Sequence, residues 1–250
     1  MRVLLAACAL LACGLAQAQP ARRPGVDFMS PALQALQRDD TQNPGQLWVA
    51  EGRSRWTEAG ANGRRCADCH AAPEAMDGVA ARYPAWDERL ARPLTLAGRI
   101  AQCRQRHQGE AAEGADGPAV LALSAWLAHR SRGRPLAPPD DARLMPWSAR
   151  GEALWRQRFG QLNLACAHCH DERAGLRLGG AAIPQGHPTG YPIYRLEWQG
   201  LGSLQRRLRG CLAGVRAEPF AAGADEWLAL EVYLARRAAG MVLEGVALRP

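Results

Sequence analysis

The sequence predicts a mostly α-helical protein made of two tandem modules, and three observations carry that prediction. The motif Cys-x-x-Cys-His occurs twice, as Cys66-Ala67-Asp68-Cys69-His70 and as Cys166-Ala167-His168-Cys169-His170. The residues flanking one copy match those flanking the other, so the chain contains an internal duplication. Apolar residues recur at helical spacing, while the alternation of a half-buried strand is scarce. At 250 residues the chain fits two modest domains. Domains this small gain from a disulfide, a metal or a cofactor as extra core.

In chain order, residues 1–18 come first. Arg2 supplies a positive start, 3–15 form an apolar stretch too short to span a bilayer, and Ala16-Gln17-Ala18 completes a small-x-small cleavage pattern. The segment reads as a secretory signal peptide with a mature start at Gln19, which places the protein in the periplasm. An alternative is a lipoprotein signal at Leu10-Leu11-Ala12-Cys13, which would lipidate Cys13. No later stretch is long and apolar enough to cross a membrane, so no membrane span is expected.

The first module, residues 19–135, and the second, 136–250, then run in parallel. Gly52 and Trp56 precede the first motif as Gly151 and Trp155 precede the second. Tyr83-Pro84 stands before Cys103 at the same distance as Tyr191-Pro192 before Cys211. Between them Thr95, Leu96, Arg99 and Ile100 match Ser203, Leu204, Arg207 and Leu208. Residues 94–104 and 201–212 read as helices carrying the lone cysteines. A closing helix follows in each module, with Trp126-Leu127-Ala128 mirrored by Tyr233-Leu234-Ala235. Arginines at the ends of these helices suit their C-termini, and Gly133 and Gly240 are the expected caps. The proline-rich stretch 131–141 reads as the linker.

The motif spacing has a mechanical reason. Two thiols one helical turn apart form thioethers with the vinyl groups of one haem, and the adjacent histidine sits under the iron. The modules are therefore cytochrome c-like helical domains, each built around one covalently bound haem c, attached through Cys66 and Cys69 or through Cys166 and Cys169. His70 and His170 are the proximal iron ligands. Zinc, the main rival for a Cys-x-x-Cys pair, needs a second ligand pair and leaves both histidines unexplained.

Of eight cysteines, Cys8 and Cys13 fall in the signal and four in the motifs, leaving Cys103 and Cys211. Their matched positions make them candidate distal iron ligands. The alternatives are a buried apolar role or a disulfide between them. Met76, Met145, His107, His129, His168 and His187 are the other available donors. Thiolate ligation would stabilise ferric iron and lower the reduction potential.

All 31 basic side chains are arginine and the net charge is +7. Arginine presents a planar fork of donors to oxyanions, so anionic substrates or acidic partners are expected. Nucleic acid is not an expected partner of an exported protein. Arg207 lies four residues before Cys211, on the same helix face.

Several stretches together resemble one family: Cys166-Ala167-His168-Cys169-His170, Gln185-Gly186-His187, Tyr194-Arg195-Leu196-Glu197-Trp198-Gln199, and Leu204-Gln205-Arg206-Arg207-Leu208-Arg209 before Cys211. Gly214-Val215-Arg216-Ala217-Glu218-Pro219 and Tyr233-Leu234-Ala235-Arg236 extend the likeness. The chain resembles SoxA, the dihaem subunit of the SoxAX cytochrome of thiosulfate-oxidising bacteria. The resemblance implies an L-cysteine S-thiosulfotransferase that joins thiosulfate to a cysteine of the SoxYZ carrier. Two electrons would leave through haem to a small cytochrome c. It implies a monohaem SoxX partner subunit, with Cys211 as both distal ligand and catalytic thiol and Arg207 and Arg236 as substrate-binding residues. It also implies Cys103 as the distal ligand of the first haem. The rival functions are a plain periplasmic electron carrier with two haems and a haem-based sensor.

Overall fold

The computed structural model describes residues 21–250, so the stretch expected as a signal peptide, with Cys8 and Cys13, lies outside the described residues. After α1 (Pro31–Arg38), the first half holds α2 (Gln46–Thr57), α3 (Ala67–His70), β1 (Ala85–Asp87), β2 (Arg92–Leu94), α4 (Leu96–Gln108) and α5 (Pro118–Arg130). The second half repeats this order with α6 (Met145–Arg156), α7 (Cys166–His170), the hairpin β3 (Arg177–Leu178) and β4 (Ala181–Ala182), then β5 (Ile193–Arg195), β6 (Gly200–Gly202), α8 (Leu204–Gly214) and α9 (Asp225–Arg237). A last strand, β7 (Leu248–Arg249), closes the chain.

Local chemistry explains these boundaries. Thr95 caps α4 by accepting from Gly98 N, and Ser203 caps α8 by accepting from Arg206 N. Proline stands in the first turn of α5 and of α6, where its missing N–H costs nothing. In each half the helix before the haem motif crosses the closing helix at a glycine. A Cβ on Gly52 would lie 2.0 Å from Ala122 O, and one on Gly151 would lie 2.1 Å from Ala229 O. Only glycine lets these backbones approach so closely, which accounts for the matched Gly52 and Gly151. One turn further on, Trp56 and Trp155 reach into the cores.

Two cores result. Val49, Trp56, Ile100, Val120, Leu123, Trp126 and Leu127 fill the first, with Leu201 and Val246 entering from the second half. Leu154, Trp155, Leu208, Leu212, Trp227, Leu230 and Leu234 fill the second. The strands are only two or three residues long, too short to produce an alternation visible in sequence. β1 pairs antiparallel with β2, β5 pairs antiparallel with β6, and β7 adds parallel to β5.

The stretch expected as a linker is instead tied down. Leu136 N donates to Met241 O at 2.8 Å, Leu243 N to Arg134 O at 2.9 Å and Gly240 N to Leu136 O at 2.7 Å. Leu136 is buried with Ala81, Ala238, Met241 and Leu243 in a third cluster. Gly133 and Gly240 do adopt positive φ, 81° and 82°. They stand beyond the helix ends, though, where Ser131 and Ala238 are the caps, and they turn the chain into this shared ladder.

Candidate active site

In the second half the motif cysteines sit on α7, and the chain returns past them through 184–191 and along α8. These elements enclose a cavity of about 390 Å³ lined by Trp155, His170, His187, Tyr191, Arg195, Arg207, Leu208 and Cys211 among others. His170 is aimed by two contacts. Its Nδ1 lies 2.7 Å from Pro184 O, and its ring stacks on Trp155 with centroids 5.4 Å apart. A carbonyl only accepts, so the neutral ring carries its proton on Nδ1 and Nε2 is left as the donor atom for iron. Gly186 keeps this wall close, because a Cβ there would lie 2.8 Å from Trp155 and 3.3 Å from His170.

Cys211, on α8, meets His170 inside this cavity. Burial raises its thiol pKa, but the adjacent His170 and the charges of Arg207 and Arg195 outweigh burial and hold it below the ordinary thiol range. Burial pushes the neighbouring Cys166 up to about 12. Arg207 lines the cavity as expected and has no carboxylate within ion-pair distance among the described residues. Arg236 does not line it. Leu234 does, and Arg237, three residues on, shares its face while Arg236 is rotated away. Arg237 lies over the Trp155 ring at 5.2 Å and binds Asp171 and the carbonyl of Gln185.

In the first half His70 is exposed, and Trp56 stacks on it at 5.6 Å. Cys103 sits near Cys66 and Cys69, and burial holds both Cys103 and Cys66 above the usual thiol range. Arg99, the counterpart of Arg207, is bound by Asp87 at 2.6 Å. The six described cysteines are all free thiols, so Cys103 and Cys211 form no disulfide. No group of three or more His, Cys, Asp or Glu side chains among the described residues is placed to hold a bare metal ion.

The whole chain aligns with known proteins on both halves. Residues 51–136 and 150–243 match the family described as SoxA/TsdA, cytochrome c domain. The chain belongs to the SoxA family. It is 36% identical over 225 residues to the L-cysteine S-thiosulfotransferase subunit SoxA of Pseudaminobacter salicylatoxidans, covering 89% of this chain and 79% of the relative. Against the same subunit of Paracoccus pantotrophus it is 34% identical, covering 90% of this chain and 78% of the relative. The crystal structure of SoxXA from P. pantotrophus superposes with a TM-score of 0.87 at 33% identity, over 92% of this chain and 87% of that one.

Membership of a cytochrome c family implies haem c, and the residues fit it. Free thiols stand one turn apart beside an imidazole whose Nδ1 is already committed and which lines a largely apolar cavity. Several lining residues were not singled out as site residues by sequence. Arg195 sits inside a stretch that carries the family likeness, yet only the fold shows it facing Cys211. His187, pushed down to about 4 chiefly by burial, lines the cavity, whereas His107 is exposed and His168 is engaged by Ala165 N at 3.0 Å. Met29, from the N-terminal segment, and Arg249, from the last strand, reach the cavity from the two ends of the described chain. No local motif marks them.

Proposed function

We propose that this chain is the dihaem subunit of a periplasmic L-cysteine S-thiosulfotransferase. One haem c would be held by Cys66 and Cys69 with His70 and Cys103 as axial ligands. The other would be held by Cys166 and Cys169 with His170 and Cys211. When bound, haem c supplies an iron centre that takes up and releases single electrons. The observation that carries the reading is Cys211, a thiol in a cavity beside an unpaired arginine.

The reaction joins thiosulfate to a thiol with loss of two electrons. Cys211–SH and S–SO₃²⁻ give Cys211–S–S–SO₃⁻, one proton and two electrons, the electrons passing to a small cytochrome c. A thiolate of the SoxYZ carrier then attacks the outer sulfur, breaks its bond to Cys211 and leaves as the carrier thiosulfonate, and Cys211 is restored. Arg207 holds the sulfonate oxygens by charge-assisted hydrogen bonds and keeps the outer sulfur near Cys211. Arg236 lies off the cavity wall, and nothing in this scheme depends on it. A monohaem SoxX partner completes the enzyme, in keeping with the similarity to SoxXA.

The test is thiosulfate-dependent electron release by the holoprotein with SoxX and SoxYZ. Cys211→Ala is expected to keep both covalent haems and lose turnover. Normal turnover by that variant would leave a plain electron carrier as the reading.

A further inference from the structure

We infer that Arg195, acting with Arg207, forms a two-guanidinium grip for the sulfonate end of the sulfur anion, built by reversing one charge of the duplicated module. This rests on the thiosulfotransferase reading and adds to it a residue and the reason the first half cannot share the chemistry. The strands β1 and β5 occupy equivalent places, as do β2 and β6, with the pairs Asp87↔Arg92 and Arg195↔Gly200 at matching ends. Asp87 and Arg195 are therefore counterparts, just as Arg99 and Arg207 are on α4 and α8.

In the first half the two positions make an ion pair. Asp87, only 4% exposed, binds Arg99 at 2.6 Å and also accepts from Leu90 N at 2.8 Å. In the second half the carboxylate is replaced by a guanidinium, and two cations line one cavity where a salt bridge would stand. Arg195 is only 12% exposed. The carboxylate nearest its Nε, Glu197 at 2.9 Å, lies on the outer side and is 53% exposed. Arg249, which also lines the cavity, is neutralised by two contacts to Glu244, at 2.7 and 2.9 Å. Arg177, also on the wall, donates to Gly180 O; Arg207 has no carboxylate among the described residues and Arg195 only the exposed Glu197, so net positive charge faces the cavity from these two.

Two guanidiniums held together in a partly desolvated cavity repel, and an anion between them removes that cost. A sulfonate fits well, since its three oxygens can take a guanidinium fork from each side. Its outer sulfur then projects towards Cys211, one helical turn from Arg207. Haem carboxylates offer a similar anionic chemistry, so the experiment separates the two sources.

Sulfate carries the oxygens but no sulfur to transfer, and is titrated calorimetrically into the holoprotein without carrier or acceptor. The wild type binds it. Arg195→Asp, which recreates the first half's ion pair, weakens binding roughly 100-fold, and Arg195→Lys weakens it roughly 10-fold because the charge stays but the fork is lost. In turnover the KM for thiosulfate rises in the same order, with kcat less affected. Covalent haem content and melting temperature show that the variants are folded. Sulfate affinity of Arg195→Asp equal to that of the wild type overturns the inference. So does unchanged affinity with a shifted potential of the second haem, which would assign the pair to haem carboxylates. Cys211→Ala binds sulfate under this inference whatever its turnover, so a failure of the transferase reading is seen separately.

Discussion

The two halves of this protein share a scaffold and differ at the place where the chemistry would occur. Both cross two helices at a glycine, both place a tryptophan behind the motif histidine, and both cap the cysteine-bearing helix with a hydroxyl. At the cysteine itself they diverge. Burial raises the Cys103 thiol, and its arginine is bound to Asp87. Cys211 is lowered because the adjacent His170 and two arginines outweigh its burial. The difference teaches that duplication kept the scaffold, while changes at a few side chains give the two cysteines opposite environments, which the proposed function reads as a relay and a reactive site.

The largest expected effect tests the shared scaffold. Gly52→Ala or Gly151→Ala forces a Cβ against a carbonyl oxygen, and each is expected to destabilise its half by about 3 kcal/mol or more. Thermal unfolding of the two holoprotein variants measures this, and a half that tolerates the methyl group would not share the crossing described. A smaller effect follows from Asp87→Ala, which strips partners from Leu90 N and from the partly exposed Arg99. A loss of about 2 kcal/mol is expected, with kcat for thiosulfate unchanged. A drop in kcat would break the division of labour between the halves.

A third and smallest difference lies where the halves meet. Ser124 on α5 and Glu231 on α9 are counterparts, and both line a cavity of about 120 Å³ between the Tyr–Pro segments. Burial is the main cause that pushes Glu231 up to about 7 from an ordinary 4.5. Its folded state therefore binds the proton more tightly than its unfolded state. The stability it contributes is complete below about pH 4.5 and is lost as the pH rises through about 7. Glu231→Gln, which can still accept from Gln205, is expected to flatten the decline in melting temperature between pH 5 and pH 8. An unchanged slope would assign that decline to other groups.

Much of the scaffold was legible in sequence because its signals are local. The Cys-x-x-Cys-His spacing and the matched pairs Thr95 with Ser203 and Gly52 with Gly151 show in a few neighbouring residues, whereas the capping and crossing roles of those pairs come from the structure. The role of 131–141 was not legible, because proline-rich composition looks the same whether a strand-like partner at 240–243 is present or absent. Spacing put Cys211 and Arg207 one turn apart on one helix, and both line the cavity. Arg195 and Met29 reach the same cavity from distant segments, and Arg237 packs on Trp155 and binds Asp171 beside it. Such placements come from tertiary packing, which no local spacing encodes.

The most direct test compares the two lone cysteines in one assay. Cys103→Met and Cys211→Met are prepared as dihaem proteins with SoxX, and thiosulfate-dependent reduction of cytochrome c is measured with SoxYZ present. Methionine supplies sulfur to iron but has no thiol to couple. Cys103→Met is expected to retain turnover at an altered rate, and Cys211→Met to have none. Equal turnover by the two variants would contradict the assignment of the sulfur chemistry to the second half.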